Sequence, residues 1–309
     1  TKYTNNGQQD YANTDTYATI KAAPQLGKAA LTSVTAEGYS SLTLKWEEVD
    51  GATGYIVYRS TDKSKVDTQI MDITNGAVSY VDTALTAGNT YYYKVQPYCV
   101  VNGKKVYGDA SGILSGKPLP SATKLTAESA GYKEVNLTWS AVDGVTGYEV
   151  YRKTSSSSYK KIATVAGEKT GYSDTKVTAG TAYTYKVRAY KTVNGSQVYG
   201  DYSNESTATP ALEAPQIALK NASYNSVTIT WNQISGAHGY KIYRSTKKDS
   251  GYRKVKTVND KTTLTYTDKK LSVGKKYYYK VCAFRTVGDK DVAGKYSDVQ
   301  TIKAAPGAD

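Results

Sequence analysis

The sequence predicts an all-β protein built from three tandem antiparallel β-sandwiches. Three observations predict this class. The three tryptophans, Trp46, Trp139 and Trp231, are 93 and 92 residues apart, and similar phrases follow each of them. Short segments alternate apolar with polar residues, which is the period of a half-buried strand. Asn-Gly pairs separate some of these segments and indicate tight hairpins.

The predicted strands recur in the same order in each repeat. The first clear strand ends at the tryptophan and is written "SLTLKW", "VNLTW" and "VTITW". The next strand is "GYIVYR", "GYEVYR" and "GYKIYR", and a later one is "YYYKV", "YTYKV" and "YYYKV". Asn102–Gly103 and Asn194–Gly195 predict two-residue turns, because Asn and Gly tolerate the positive φ that a type I′ turn requires. No segment requires a helix.

These phrases resemble the fibronectin type III domain. The resemblance rests on the order Trp, then Gly-Tyr-x-Val/Ile, then Leu/Val-x-x-Gly-x-x-Tyr-x-Tyr-x-Val, and it covers nearly the whole chain. It implies seven-stranded sandwiches in which Tyr91, Tyr183 and Tyr277 form tyrosine corners. The phrases are also similar to tandem copies in secreted or surface proteins of Gram-positive bacteria.

The domain boundaries are predicted near "SGKPLP" and "TATPALEAP". The predicted domains are residues 24–118, 119–211 and 212–306, joined by short proline-containing linkers that restrict bending. The expected product is an elongated rod. "TIKAAP" occurs at Thr19–Pro24 and at Thr301–Pro306. Residues 1–23 are therefore predicted to be the last hairpin of a truncated fourth copy, which pairs with another piece or is loosely held.

Strand parity separates core positions from outward ones. Trp46, Trp139 and Trp231 are predicted core anchors together with the corner tyrosines Tyr91, Tyr183 and Tyr277. The opposite parity predicts a solvent-facing surface of tyrosine and lysine in each repeat, which includes Tyr98 in the first repeat and Tyr190 in the second. Exposed cross-strand pairs of this kind also stabilise a sheet without any ligand. In the third repeat the candidate binding residues are Tyr243, Lys254, Lys256, Lys275, Lys276, Tyr278, Lys280 and Phe284.

The net charge of +13 is concentrated in the last third of the chain. Residues 212–305 carry eighteen basic and seven acidic side chains, whereas residues 23–118 carry nine of each. Such asymmetry does not suit a uniform nucleic-acid-binding protein. An anionic polymer would suit the third repeat as a partner, but solvated loops are the more ordinary explanation of such lysine runs. We expect no nucleic-acid partner and no membrane insertion.

Residues suited to catalysis or metal binding are sparse. The single histidine, His238, replaces Thr53 and Thr146 of the other repeats, which indicates a turn residue. Cys99 and Cys282 do not recur, so they are expected to be half-buried free thiols without a disulfide. Asp82, Asp174 and Asp268 do recur, and they are expected to accept backbone N–H groups in a turn. The sequence therefore predicts no catalytic residues, no metal site and no cofactor.

Three functions remain open from the sequence. The preferred one is a non-catalytic spacer or interaction array of an extracellular protein, secreted or attached to a cell wall. The second is a ligand-binding module that contacts a glycan or a host protein such as immunoglobulin through its tyrosine and lysine face. The third is an accessory region of a polysaccharide-degrading enzyme.

Overall fold

The computed structural model describes residues 25–223 and 225–305, and these residues form 24 β-strands and no helix. Consequently, no helix in the described part of the chain could cross a membrane. The chain divides into two compact units. The first contains most of the first repeat, and the second contains the second and third repeats together with Thr35–Leu42 and Asp82–Asn89. The prediction for residues 1–23 lies outside the described residues.

Each repeat pairs a three-stranded sheet with a five-stranded sheet, and all strand pairs with a described register are antiparallel. The first repeat contains β1 (Leu31–Ala36), β2 (Leu42–Trp46), β3 (Gly54–Ser60), β4 (Thr68–Ile73), β5 (Ser79–Asp82), β6 (Tyr91–Val101), β7 (Lys104–Tyr107) and β8 (Leu114–Gly116). Its sheets have the orders β1-β2-β5 and β4-β3-β6-β7, and β8 also pairs with β6.

The second and third repeats reproduce this order. The second contains β9 (Leu125–Gly131), β10 (Glu134–Trp139), β11 (Gly147–Lys153), β12 (Lys160–Ala166), β13 (Gly171–Asp174), β14 (Tyr183–Val193), β15 (Ser196–Tyr202) and β16 (Ser206–Ala208). The third contains β17 (Ile217–Ser223), β18 (Ser226–Trp231), β19 (Gly239–Ser245), β20 (Arg253–Val258), β21 (Thr265–Asp268), β22 (Lys276–Val287), β23 (Lys290–Tyr296) and β24 (Gln300–Lys303). The predicted all-β sandwiches are therefore confirmed.

The seventh strand of each sandwich is interrupted, and a serine bridges the interruption. Between β15 and β16, Ser203 donates its backbone N–H to the carbonyl of Val187 at 2.7 Å. Its Oγ accepts the N–H of Val187 at 3.0 Å and thereby takes the place of a backbone carbonyl. Ser111 and Ser297 make the same pair of bonds with Val95 and Val281. The long strand therefore keeps its hydrogen bonds although its neighbour is split in two.

The core lies between the two sheets of each sandwich. The three tryptophans are 4–6% exposed, and each packs against the tyrosine of the following Gly-Tyr phrase, with ring centroids 5.3–5.5 Å apart. That tyrosine also anchors a loop, since the hydroxyl of Tyr148 accepts the N–H of Val142 at 2.9 Å. The corner tyrosines are buried, and the Tyr183 hydroxyl accepts the N–H of Thr178 at 3.1 Å.

The turns match the sequence signals. Asn102 and Gly103 have φ values of 50° and 76°, and Asn194 and Gly195 have values of 49° and 78°. Both central residues of each hairpin are thus left-handed, as a type I′ turn requires.

Candidate binding face

We call the side of each five-stranded sheet that points away from the three-stranded sheet its outer face. In the second repeat a buried carboxylate lies at the centre of this face. Glu149 on β11 is 2% exposed. It accepts hydrogen bonds from Arg188 at 2.8 Å, from Lys161 at 2.9 Å and from the Tyr151 hydroxyl at 2.6 Å. Tyr199 also donates to it at 3.2 Å.

The electrostatics of this cluster favour the charged form of Glu149. Burial by itself would raise the pKa of the carboxyl group, because an apolar environment penalises charge. The hydrogen bonds from Tyr151, Lys161 and Arg188 outweigh burial and lower the pKa to about 2. The same contacts raise the pKa of Tyr151, whose own burial is the largest cause, and that of Lys161 through its bond to Glu149.

Aromatic rings on the outer faces are covered by lysine side chains of the same face. The Lys186 ammonium lies 4.3 Å from the ring centroid of Tyr159 and 3.6 Å from that of Tyr202. In the third repeat, Lys280 lies 4.5 Å from the centroid of Tyr252 and 4.2 Å from that of Tyr296. Such cation–π contacts stabilise a sheet without any ligand.

Three of the predicted outward rings are buried, which corrects the sequence-based prediction. Tyr98, Tyr190 and Phe284 are 2%, 8% and 4% exposed. The physical reason is the glycine opposite each ring on the neighbouring strand: Gly54 pairs with Tyr98, and Gly239 pairs with Phe284. Because glycine has no side chain, the ring lies over it on the sheet. Phe284 is therefore unavailable as a binding residue.

The structure brings five of the eight predicted residues of the third repeat together. Tyr243 is opposite Lys254 on β20 and Lys280 on β22. Lys276 and Tyr278 share the parity of Lys280, and the Lys276 ammonium lies 5.8 Å from the Tyr278 centroid. These five residues, Tyr243, Lys254, Lys276, Tyr278 and Lys280, lie on the outer face.

The other two lysines lie elsewhere. Lys256 is exposed but is opposite Ile242, whose side chain is buried in the core, so it lies at the rim of the other side of the sheet. Lys275 precedes β22 in a turn, where its N–H donates to the carbonyl of Ser272.

The recurring aspartates have a partner that the sequence reasoning missed. Asp174 accepts the backbone N–H of Lys176 at 3.0 Å, as expected. It also forms an ion pair with Arg152 at 2.6 Å and accepts the Tyr185 hydroxyl at 3.1 Å. Arg244 and Asp268 repeat the ion pair at 2.8 Å. The sequence does contain a signal for this ion pair, since an arginine recurs in every "YR" phrase, at Arg59, Arg152 and Arg244.

The remaining reactive groups have structural partners. His238 Nδ1 accepts the N–H of Thr286 at 3.2 Å, the bond that Thr146 Oγ1 accepts from Thr192 in the second repeat. Cys99 and Cys282 are free and fully buried, more than the predicted half-burial. Burial raises the pKa of the Cys282 thiol. In the described residues no cluster of His, Cys, Asp and Glu is suited to a metal ion.

The fold defines a tandem array of β-sandwich modules, and the side chains of each described outer face contact one another. Residues 125–208 match the family described as "Fibronectin type III domain SaeA third domain". The first and third repeats share the strand order, the core tryptophan and the split seventh strand of this domain. The second repeat therefore matches a fibronectin type III domain, and the first and third repeats have the same fold.

Two curated relatives and one solved structure are similar to the chain. Exoglucanase B of Cellulomonas fimi is 29% identical over 272 residues, which cover 81% of this chain and 23% of that protein. Amylopullulanase of Thermoanaerobacter thermohydrosulfuricus is 36% identical over 98 residues, 31% of this chain and 6% of that protein. A two-domain fibronectin type III segment of chicken tenascin is 17% identical, covers 59% of this chain and 99% of that segment, and has a TM-score of 0.37. The chain thus spans about a quarter or less of the length of these two enzymes.

Proposed function

We propose that this chain is a non-catalytic spacer region of a larger extracellular protein and that it holds neighbouring parts of that protein at a set separation. The observation that carries the proposal is the linker between the second and third repeats. A spacer works only if its joints resist bending, and a free flexible linker would not do so.

The linker is hydrogen-bonded on both sides. On the side of the second repeat, Ala211 donates its N–H to Ser129 Oγ at 3.1 Å, and Gly180 donates to the carbonyl of Pro210 at 2.9 Å. On the side of the third repeat, Lys295 donates to the carbonyl of Leu212 at 2.9 Å. Leu212 is 2% exposed and belongs to the core of the third repeat. The linker is therefore part of the packed structure.

A tyrosine of the second repeat completes this joint. Tyr132, in the turn between β9 and β10, packs against the core of the third repeat. Its ring lies on Gly236, where an added Cβ would clash with it. The Arg285 guanidinium stacks 5.0 Å from the Tyr132 centroid and donates to the carbonyl of Gly236 at 2.9 Å. Apolar, cation–π and hydrogen-bonding contacts thus meet at one point.

The relatives favour one setting for this spacer. Exoglucanase B and Amylopullulanase carry enzyme names, and both are much longer than the region that they share with this chain. An accessory region of a secreted polysaccharide-degrading enzyme therefore suits the chain better than a wall-attached adhesin does.

Distance measurements between the two repeats test the spacer proposal. Nitroxide labels are placed on cysteines introduced at the exposed loop residues Ser156 and Asp249, with Cys99 and Cys282 changed to alanine. We expect a narrow distance distribution for the otherwise unchanged chain and a broad one after Tyr132→Ser. Tyr159→Ser, which removes a half-buried tyrosine from the outer face, is the matched control and leaves the distribution narrow. A broad distribution in the unsubstituted chain would overturn the proposal.

A further inference from the structure

Two exposed lysines lie directly opposite each other on the third outer face. Lys276 on β22 pairs with Lys303 on β24. The neighbouring pair, Tyr277 with Ile302, packs into the core, so both lysines point outward. Like charges directly opposite each other destabilise a sheet. The equivalent pairs are Ala182 with Thr209 and Thr90 with Lys117, so among the three repeats only the third contains this opposition.

The residue at the centre of the outer face has opposite charges in the second and third repeats. In the second repeat this residue is Glu149, which forms ion pairs with Arg188 and Lys161. The equivalent residue of the first repeat is Ile56, and that of the third repeat is Lys241. The third outer face has therefore replaced its central anion with a cation.

One acid approaches this central cation from the edge of the sheet. Asp291 on β23 forms an ion pair with Lys241 at 3.0 Å. The hydrogen bond from Lys241 is the largest cause that lowers the pKa of Asp291, and the charge of Lys254 adds to it. Asp291 thus faces both Lys241 and Lys254, whereas in the second repeat Lys161 has the buried Glu149 as its own partner. The face as a whole keeps an excess of positive charge.

Lysines already contact three of the rings on this face. Lys280 covers Tyr252 and Tyr296, and Lys241 lies 4.8 Å from the Phe284 centroid. Recognition by stacking of sugars or bases on open aromatic rings is therefore disfavoured. The exposed lysines can instead recognise an anion by charge and direct hydrogen bonds.

We propose that the third outer face binds a linear, carboxylate-bearing polysaccharide. Along β22, cations alternate with the half-buried Tyr278, and successive outward residues are about 6.6 Å apart. A polymer that alternates carboxylate with hydroxyl groups complements ammonium groups that alternate with a tyrosine hydroxyl. A sheet face is also open at both ends and accepts an extended chain. This inference adds a binding role to the proposed spacer and does not depend on it.

Binding of the full chain to polygalacturonate at low salt tests the inference. The test variant K254Q/K276Q/K303Q removes three exposed lysines from the face. The matched control K220Q/K261Q/K269Q removes three exposed lysines of the same repeat that lie on the other sheet or in loops. Melting temperatures at least as high as that of the unsubstituted chain show that both variants are folded. We expect the test variant to bind at least tenfold more weakly and the control to stay within threefold of the unsubstituted chain.

Each other outcome overturns the inference. Equal weakening by both variants would mean diffuse attraction to a basic domain. Binding of duplex DNA as tightly as polygalacturonate would mean that charge alone is recognised. Binding of a neutral glucan with equal affinity, or no binding of polygalacturonate, would exclude a carboxylate site. If the distance distribution in the spacer experiment is narrow but polygalacturonate does not bind, the spacer role stands and only the binding role is excluded.

Discussion

At the scale of single residues, Glu149 shows how a buried charge is accommodated on a sheet surface. An isolated carboxylate that is 2% exposed would be costly. Here the side chain receives hydrogen bonds from two cations and two phenols, so every contact favours ionisation. The cluster couples the stability of the second repeat to acid pH.

We predict that Glu149→Gln lowers stability at neutral pH and that this deficit disappears in acid. The pKa of Glu149 lies at about 2 in the folded chain and at its ordinary value of 4.5 when unfolded. A depressed pKa contributes stability that is fully present above about pH 4.5 and is lost as the pH falls toward 2. Each pKa unit corresponds to about 1.4 kcal/mol, so the difference between 4.5 and about 2 gives an expected deficit of about 3–4 kcal/mol at pH 6. Scanning calorimetry of the full chain between pH 2 and pH 7 measures it.

The exposed carboxylate of Glu168 in the same repeat provides the control. Glu168→Gln should leave the melting temperature nearly unchanged at every pH. A constant difference between Glu149→Gln and the unsubstituted chain from pH 6 to pH 2 would contradict the proposed cause.

The residue scale also marks a limit of sequence reasoning. The sequence reasoning missed Glu149: alternation along "GYEVYR" gives it the parity of Tyr151, but it says nothing of how deeply neighbours cover the carboxylate. Its cover comes from Arg188 and Tyr199, which are about 40 and 50 residues away in the chain. No local pattern reports such contacts.

At the scale of elements, the glycine that opens β3 has a specific packing role. Gly54 begins the strand, and a Cβ at this position would clash with the carbonyl of Ile73 and with the ring of Tyr98. The Tyr98 hydroxyl in turn donates to Asp72 at 2.9 Å, across the edge strand β4. One small residue therefore allows a ring to cover the sheet.

We predict that Gly54→Ala destabilises the first repeat by about 1–3 kcal/mol, because overpacking forces the ring or the edge strand to move. Gly112→Ala is the control, since Gly112 lies in the same repeat, its φ is ordinary, and no atom lies within 4 Å of the place that the new methyl group would take. The control should change stability by less than about 0.5 kcal/mol. Urea unfolding measures both variants, and equal effects would show that the Tyr98 contact is unimportant.

Strand order and turn chemistry were predictable, whereas the cover of the sheets was not. The 93-residue period, the alternation and the Asn-Gly pairs each predict one feature, and all three agree with the fold. Phe284 and Tyr98 were misplaced because parity tells which face a residue occupies but not whether the facing strand contains a glycine. For the same reason, the sequence predicted which residues share the candidate face but not which of them are buried.

At the scale of the whole molecule, the joint between the second and third repeats depends on side chains that the sequence does not mark. "TATPALEAP" predicts a short linker, and the burial of Leu212 in the next core is not evident from one apolar residue among alanines and prolines. Tyr132 belongs to an ordinary strand turn, yet it contacts the other repeat. These contacts make two consecutive repeats one packed unit.

Alanine substitutions at two glycines of the third repeat distinguish the effect of the Tyr132 contact from the effect of backbone strain. Gly236 and Gly274 have φ values of 78° and 82°, so alanine at either position costs about 1–2 kcal/mol of strain. At Gly236 the new methyl group would also clash with Tyr132, whereas no atom lies within 4 Å at Gly274. We predict that Gly236→Ala displaces Tyr132 and speeds hydrogen exchange of the Ala211 and Lys295 amides at least tenfold. Gly274→Ala should change these two amides by less than threefold, and equal acceleration in both variants would show that strain, and not the Tyr132 contact, controls the joint.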